Sequence, residues 1–311
     1  MTERNFTVLE MRGLLVVSGA DAGAFLQNLI SNDVDRVSPN RTIYGTLLTP
    51  QGKFLHDFFV AAHPAGDGAY LLDAEAGRID DLERRFGMYR LRADVVLERA
   101  TPDWAVSAAF GHEAAPALGL EPEAGTAAPR AGGVAFVDPR LAALGARAIG
   151  PASTITRLLE ESGFVRTGSG VYDELRLSHG IPDGSRDILV ERSFPLECNL
   201  DDLNAIDYEK GCYVGQELTA RTHYRAKIRK RLFPVRSEGA LPATGTAITL
   251  NDKNVGEMRS SAGRRGLALL RVESLKSARE QGLSLTAGGT EITPDVPAWM
   301  VLDNTADAEP R

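Results

Sequence analysis

Two hydrophobic periodicities divide this chain near residue 226, and they require two kinds of packing. Before that point helical and strand patterns alternate. Residues 14–18 read as a strand, after which Asp21 is placed to cap a helix with Ala22, Phe25, Leu26, Leu29 and Ile30 on one face. Residues 44–49 and 53–61 read as a hairpin around Pro50-Gln51-Gly52, because proline favours the first central position of a turn. A strand at 69–73, helical spacing of Ile79, Leu82, Phe86 and Tyr89, and a strand at 92–98 continue the alternation. Ser153 is placed to cap a helix carrying Ile155, Leu158 and Leu159, and residues 171–179 form a second, stopped by Gly180 and Pro182. Beyond Arg225 short runs of valine, leucine and threonine are separated by Gly245, the Asn251 to Asn254 turn, Gly263 and Gly288-Gly289, the pattern of a small antiparallel barrel.

The expected class is α+β. A module of interleaved helices and antiparallel strands, in two subdomains, occupies residues 1–225, and a β-barrel domain with a disordered tail occupies 226–311. Residues 114–133, dense in alanine, proline and glycine, read as a mobile surface connection.

A length of 311 residues exceeds one ordinary core, and 43% hydrophobic with 25% charged residues is usual for a globular chain. The net charge of -7 argues against nucleic acid as a partner. Positive charge is nevertheless concentrated from Arg221 to Arg236, a run without an acidic residue, which points to an anionic ligand or an acidic partner surface. No apolar run approaches the roughly 20 residues that span a bilayer, and the start lacks an apolar signal core, so a cytoplasmic protein without membrane contact is expected. Two cysteines are too few for a disulfide framework or a four-cysteine metal site. The five histidines are scattered, with none paired four apart, and no resident metal is expected.

Those two cysteines differ in setting. Cys212 lies in Lys210-Gly211-Cys212-Tyr213-Val214-Gly215-Gln216-Glu217, where the glycines permit a sharp bend and a helix opens near Gln216. A helix start and the neighbouring Lys210 would both favour thiolate, which makes Cys212 the candidate reactive thiol. Cys198 follows Pro195-Leu196-Glu197 in a turn-like stretch where a small packed residue is expected. Asp57 sits among apolar neighbours in a strand that alternation places in a core, together with Leu55 and Phe59. Buried carboxylates require hydrogen bonds or protonation and are enriched in functional pockets.

The cysteine turn, with Ser193-Phe194-Pro195-Leu196-Glu197-Cys198-Asn199 before it and Ile228 to Arg236 after it, resembles the YgfZ-type folate-binding proteins of iron-sulfur cluster assembly, close to their mitochondrial-type subgroup. Ser31-Asn32-Asp33-Val34, Leu48-Thr49-Pro50-Gln51-Gly52-Lys53 and Leu175-Arg176-Leu177-Ser178-His179-Gly180 fit the same family. Its fold is similar to that of the aminomethyltransferase, or T-protein, of the glycine cleavage system. The resemblance implies tetrahydrofolate, or a one-carbon derivative, bound by Asp57, Tyr70, Arg176 and Arg221, with Cys212 and Asp57 carrying the chemistry. It further implies iron-sulfur assembly proteins or client enzymes as partners. Where T-proteins carry a pterin-binding glutamate this chain has the segment from Asp138 to Arg147, with Arg147 near the glutamate position. Two other functions stay open: a folate-dependent aminomethyltransferase or other one-carbon transferase, and a non-enzymatic adaptor docking through the cysteine turn and the basic strand.

Overall fold

The computed structural model describes residues 3–66 and 68–302. The tail expected to be disordered falls, beyond 302, outside the described residues. Two compact units form: Met1–Leu48, Leu55–Tyr172 and Leu203–Val214 make one, and Thr49–Phe54, Asp173–Asp202 and Gly215–Arg311 make the other.

In chain order the first unit contains β1 (Arg4–Val8), β2 (Arg12–Ser18), α1 (Ala22–Leu29), β3 (Ile43–Leu48), β4 (Phe54–Ala62) from Leu55 onward, β5 (Tyr70–Glu75), α2 (Ile79–Arg90) and β6 (Val96–Arg99). Then follow β7 (Trp104–Gly111), α3 (Ala114–Ala117), β8 (Ala127–Arg130), β9 (Gly133–Val137), β10 (Ala146–Pro151), α4 (Ala152–Glu161) and β11 (Val165–Arg166). One sheet runs β3-β4-β5-β2-β6 and a second runs β11-β1-β7-β10-β9-β8. Every residue of β4 but the last is buried, because both faces of its sheet are covered. On one face Phe58 meets Phe86 of α2 at 6.1 Å between ring centroids, and Phe86 meets Phe25 of α1 at 5.8 Å. On the other, Phe59 meets Phe136 of the second sheet at 5.9 Å.

Three local expectations are corrected. Asp21 stands before α1 without capping it; its carboxylate accepts instead from the Asp94 amide at 2.8 Å. Pro151 is the residue before α4, so Ser153 lies inside the helix rather than at its cap. The alanine-rich stretch is not a bare connection: Ala114, Ala115, Leu118 and Leu120 belong to a core with Ile155, Leu159 and Phe164, and β8 falls within it. Alanines in a four-residue helix carry too little periodicity to reveal that burial.

His56 points from β4 towards α2, with its Nε2 2.9 Å from Asp81. Burial pushes its pKa down to about 4, helped by Arg78. The unfolded chain therefore binds a proton between about pH 6.5 and 4 that the fold refuses, so stability falls as pH drops through that window, by up to about 3 kcal/mol. His56→Gln should flatten this acid limb of the urea midpoint against pH; an unchanged limb would remove His56 as its cause.

The second unit takes α5 (Ser169–Ser178) from Asp173 onward, α6 (Gln216–Arg225), β12 (Lys230–Arg236), β13 (Ala247–Leu250), β14 (Lys253–Ala262), β15 (Arg265–Arg271), α7 (Val272–Gln281), β16 (Leu285–Ala287) and β17 (Thr290–Pro294). Its strands close as β12-β15-β14-β13-β16-β17 around Phe233, Ile248, Met258, Leu270 and Ile292. The α+β class with a C-terminal barrel, expected from periodicity, is the observed fold. Among the described residues no helix is long and apolar enough to cross a membrane.

Candidate functional site

Lys210 determines how the cysteine turn is held. Its ammonium donates to three carbonyls at the end of α1, Gln27 at 2.8 Å and Ile30 and Asn32 at 2.7 Å, and lies 5.3 Å from the Tyr213 ring. A cation suits this position, since the last carbonyls of a helix lack intrahelical donors and carry its negative end. Asp207 fastens the same loop, accepting from the amides of Glu209 and Lys210 while pairing with Arg36 at 2.7 Å. With Lys210 and Tyr213 buried, Gly211 and Cys212 are left exposed between them.

This differs from the environment expected for the thiol. The lysine is spent on α1, and α6 starts at Gln216, four residues after Cys212, so presentation rests on exposure. Only the second glycine needs its freedom: Gly215 sits before α6 at φ +86, whereas Gly211 has ordinary backbone. Burial lowers the Lys210 pKa to about 8, against Asp33, Asp207 and Asp35, which raise it. Lys210→Met should leave those carbonyls unpaired at a cost of about 2 kcal/mol and loosen the turn. Hydrogen exchange across residues 208–214 should accelerate; protection equal to the parent's would refute the pinning role.

Cys198 is buried in the short turn Pro195–Cys198, and burial, with Glu197 beside it, pushes its thiol up to about 12.

Asp57 lies on the β4 face shared with Phe59, and that face is densely charged. The Tyr44 hydroxyl, kept protonated chiefly by burial and then by Asp57, donates to Asp57 Oδ2 at 2.8 Å. Three buried guanidiniums lie over the Phe59 ring, with Arg147 at 4.0 Å, Arg140 at 4.9 Å and Arg12 at 5.6 Å from its centroid. Asp73 of β5 receives Arg12 Nε at 2.6 Å and Arg147 at 2.7 Å. Asp138 receives both Nε and a terminal nitrogen of Arg140, at 3.0 and 2.7 Å. Burial would raise the Asp138 pKa, but Arg140 and then Arg147 hold it below the usual range. Arg147 Nε is buried without a hydrogen-bond partner, 3.6 Å from Asp138 Oδ2.

The structure does not bring Tyr70 to Asp57. Phe59 is registered with Asp73 and Ala62 with Tyr70, so alternation puts Tyr70 on the opposite face of the sheet from Asp57. There its hydroxyl abuts α1, where a Cβ added to Gly23 would come within 2.9 Å of it. Arg176, in the second unit, is saturated: it donates to Asp173, to Asp187 at 2.8 Å, to the Ile181 carbonyl at 3.1 Å and to Ser260 at 2.8 Å. Arg221 is exposed on α6. Within the basic run Arg231 is buried against Asp201 and Asp202 at 3.0 and 3.2 Å, while Arg225 and Arg229 are exposed. Periodicity missed Arg12, Tyr44, Asp73 and Arg140; for Arg12 and Asp73 a charged residue inside a strand otherwise destined for burial was the available signal, whereas Arg140 lies between β9 and β10 and gave none.

The donor set fits a flat heterocycle. Arg147 Nε can meet a ring carbonyl, and Asp57 can accept from ring or exocyclic N–H groups. Among the described residues no three histidine, cysteine, aspartate or glutamate side chains converge as metal ligands, and Cys212 is the exposed thiol.

Fold and site together define a two-part class. Residues 6–120 match the GCVT N-terminal domain, and residues 229–302 match the CAF17 C-terminal beta-barrel domain. The architecture is similar to the glycine cleavage system aminomethyltransferase T from Bartonella henselae, with a TM-score of 0.76 over 96% of this chain and 87% of that one, at 16% identity. The mitochondrial iron-sulfur cluster assembly factor IBA57 of Homo sapiens is 37% identical, covering 94% of this chain and 84% of its own length. Its Mus musculus counterpart is 34% identical with the same coverage. The chain belongs to the IBA57 family of iron-sulfur cluster assembly factors. The expected cytoplasmic location is corrected by these relatives, which are named as mitochondrial. The lack of an apolar signal core bears on secretion only, since mitochondrial leaders are amphipathic and arginine-rich.

Proposed function

We propose that this protein is a tetrahydrofolate-dependent iron-sulfur cluster assembly or repair factor in which Cys212 is the functional thiol. The observation that carries the reading is the lone exposed cysteine on a turn clamped by Lys210, in a chain that belongs to a family of assembly factors. One thiolate cannot hold a cluster alone, so the remaining ligands come from an iron-sulfur assembly protein or a client enzyme, and the cluster is cargo.

Folate, when bound, supplies a carried one-carbon unit or a redox-sensitive ring. Asp57 and Arg147 Nε, which has no hydrogen-bond partner within the fold, hold the edge of its pterin, and Tyr44 keeps the Asp57 carboxyl in one orientation. Arg221 and the exposed cations after it serve an anionic group, of a folate or of an acidic partner. Tyr70 supports α1 rather than the ring, and Arg176 ties α5 to β14. The division at residue 226 is part of this proposal, supported by a barrel match that begins at 229.

Titration calorimetry with tetrahydrofolate tests the pocket. Asp57→Asn and Arg147→Met should each weaken binding at least about tenfold, which is 1.4 kcal/mol. Parental affinity in both would dismiss the pocket. A one-carbon transferase is the second reading, favoured by the buried Asp57; turnover of methylene-transferring substrates would establish it, and Cys212→Ala would then leave that turnover intact.

A further inference from the structure

The five-stranded sheet of the first unit ends at β6, which pairs with β2 and, among the described residues, with no other strand. The Ala100 amide donates to the Leu14 carbonyl at 3.1 Å, which sets the alternation of this antiparallel pair. Val96 and Glu98 therefore turn their amides and carbonyls towards β2, and Leu97 and Arg99 turn theirs towards the open edge. Beside that edge α2 and β6 enclose a groove of about 520 Å³. Arg99 reaches across it to Asp80 and, at 3.3 Å, to Glu83, while Leu97 lines it together with Gly87 and Arg90 of α2. Gly87 is out of place in the body of a helix, where glycine is among the poorest formers. Nothing in the fold asks for it: a Cβ added there would meet no described atom within 4 Å.

We propose that β6 is the docking edge for an extended acidic segment of a second protein, which joins the sheet as a sixth strand with its carboxylates facing α2. Strand addition gives the open amides and carbonyls of Leu97 and Arg99 their partners. On the α2 side the alternate side chains of the added strand stand about 6.8 Å apart over the groove. Gly87 leaves room for them, and Arg84 and Arg90, about 9 Å apart along the helix, flank it. Charge selects the segment. The groove is lined by Arg84, Arg90 and Arg99 against Asp80 and Glu83, and Arg99 already engages both acids. Arg84 shares the single carboxylate of Asp81 with Arg78 and Arg85, and Arg90 has no ion pair among the described residues, so the charge left to offer is positive. On the other face Val96, 42% exposed, suits β-branched residues at the positions between the carboxylates. A second copy of this chain is a poorer occupant, because two-fold pairing sets a patch against itself and would bring both sets of arginines together. The inference goes beyond the function proposed above and needs neither Cys212 nor folate.

The test is fluorescence anisotropy of the whole chain with a labelled octapeptide in which glutamate alternates with valine. The expected result is saturable binding that weakens with added salt and falls at least about tenfold with Gly87→Leu and with Arg90→Glu. Gly87→Leu replaces a poor helix former by a good one, so its thermal midpoint should equal or exceed the parent's, and lost binding is then not lost folding. Methylating the peptide amides of the glutamates or of the valines should have unequal effects, since only one alternate set faces β6: one abolishes binding and the other spares it. Hydrogen exchange across residues 96–99 should slow in the complex. Absence of binding, equal loss from both methylated sets, equal binding of a lysine-valine peptide, or affinity unchanged by both variants overturns the proposal. Self-association of the chain that Gly87→Leu abolishes also overturns it, by making a second copy the occupant.

Discussion

Asp73→Ala is expected to destabilise the first unit by about 3–5 kcal/mol, because it strands two buried cations at once. Arg12 and Arg147 both place a nitrogen within 2.7 Å of the Asp73 carboxylate, and all three side chains are at most 5% exposed. Asp138 compensates only in part, since Arg140 already grips both its oxygens and its Oδ2 stands 3.6 Å from Arg147 Nε in the parent. The Phe59 ring gives the guanidiniums a face to stack on but no counter-charge of full strength. Urea unfolding of the parent and variant measures the cost. Removing the whole group should reverse most of it: Asp73→Leu combined with Arg12→Met and Arg147→Leu replaces desolvated charges with apolar volume, a change that is often neutral or stabilising. A loss below about 1 kcal/mol for Asp73→Ala, the range of exposed pairs, would mean that water reaches the cluster. If the proposed pocket holds tetrahydrofolate, the same triple variant should abolish its binding through loss of Arg147, which separates the ligand's requirement from the fold's.

The second large effect concerns the thiols. Cys212→Ala should fold with parental stability yet fail to restore iron-sulfur enzyme activity in cells lacking the protein, since the exposed side chain contributes little to packing and, in the proposed function, supplies the ligand or nucleophile. Cys198→Ala should behave in the opposite way. Its side chain is 1% exposed, so truncation costs on the order of 1 kcal/mol of stability but leaves activity in place. Alkylation separates them without mutation. With burial holding the Cys198 thiol near 12, it should react on the order of a hundredfold more slowly than Cys212 at neutral pH. Complementation by Cys212→Ala together with failure of Cys198→Ala would reverse the assignment, and complementation by both would leave only folate binding.

Much of this was legible in the sequence because it depends on neighbours. The helix starting at Gln216, the hairpin strands around Pro50-Gln51-Gly52, the barrel after Arg225 and the contrast between the two cysteines all follow from residues a few positions apart. Asp57 could be recognised as buried and unusual, since its own strand supplies the apolar neighbours. What surrounds it could not. The register that pairs Ala62 with Tyr70 depends on the length and path of residues 63–69, and a shift of one residue would have put Tyr70 on the Asp57 face. Arg12, Arg140 and Arg147 come from three separate segments, brought together only when the two sheets meet through Phe59 and Phe136. Lys210 reads in sequence as a cation beside a thiol, but its chain is long enough to reach the carbonyls of a helix about 180 positions earlier, and those desolvated acceptors outcompete the thiol for it. Local pattern thus determined the elements, the turn and which cysteine is exposed, whereas only tertiary packing decided which charges share a core, because burial forces each one to find a partner wherever the chain has delivered it.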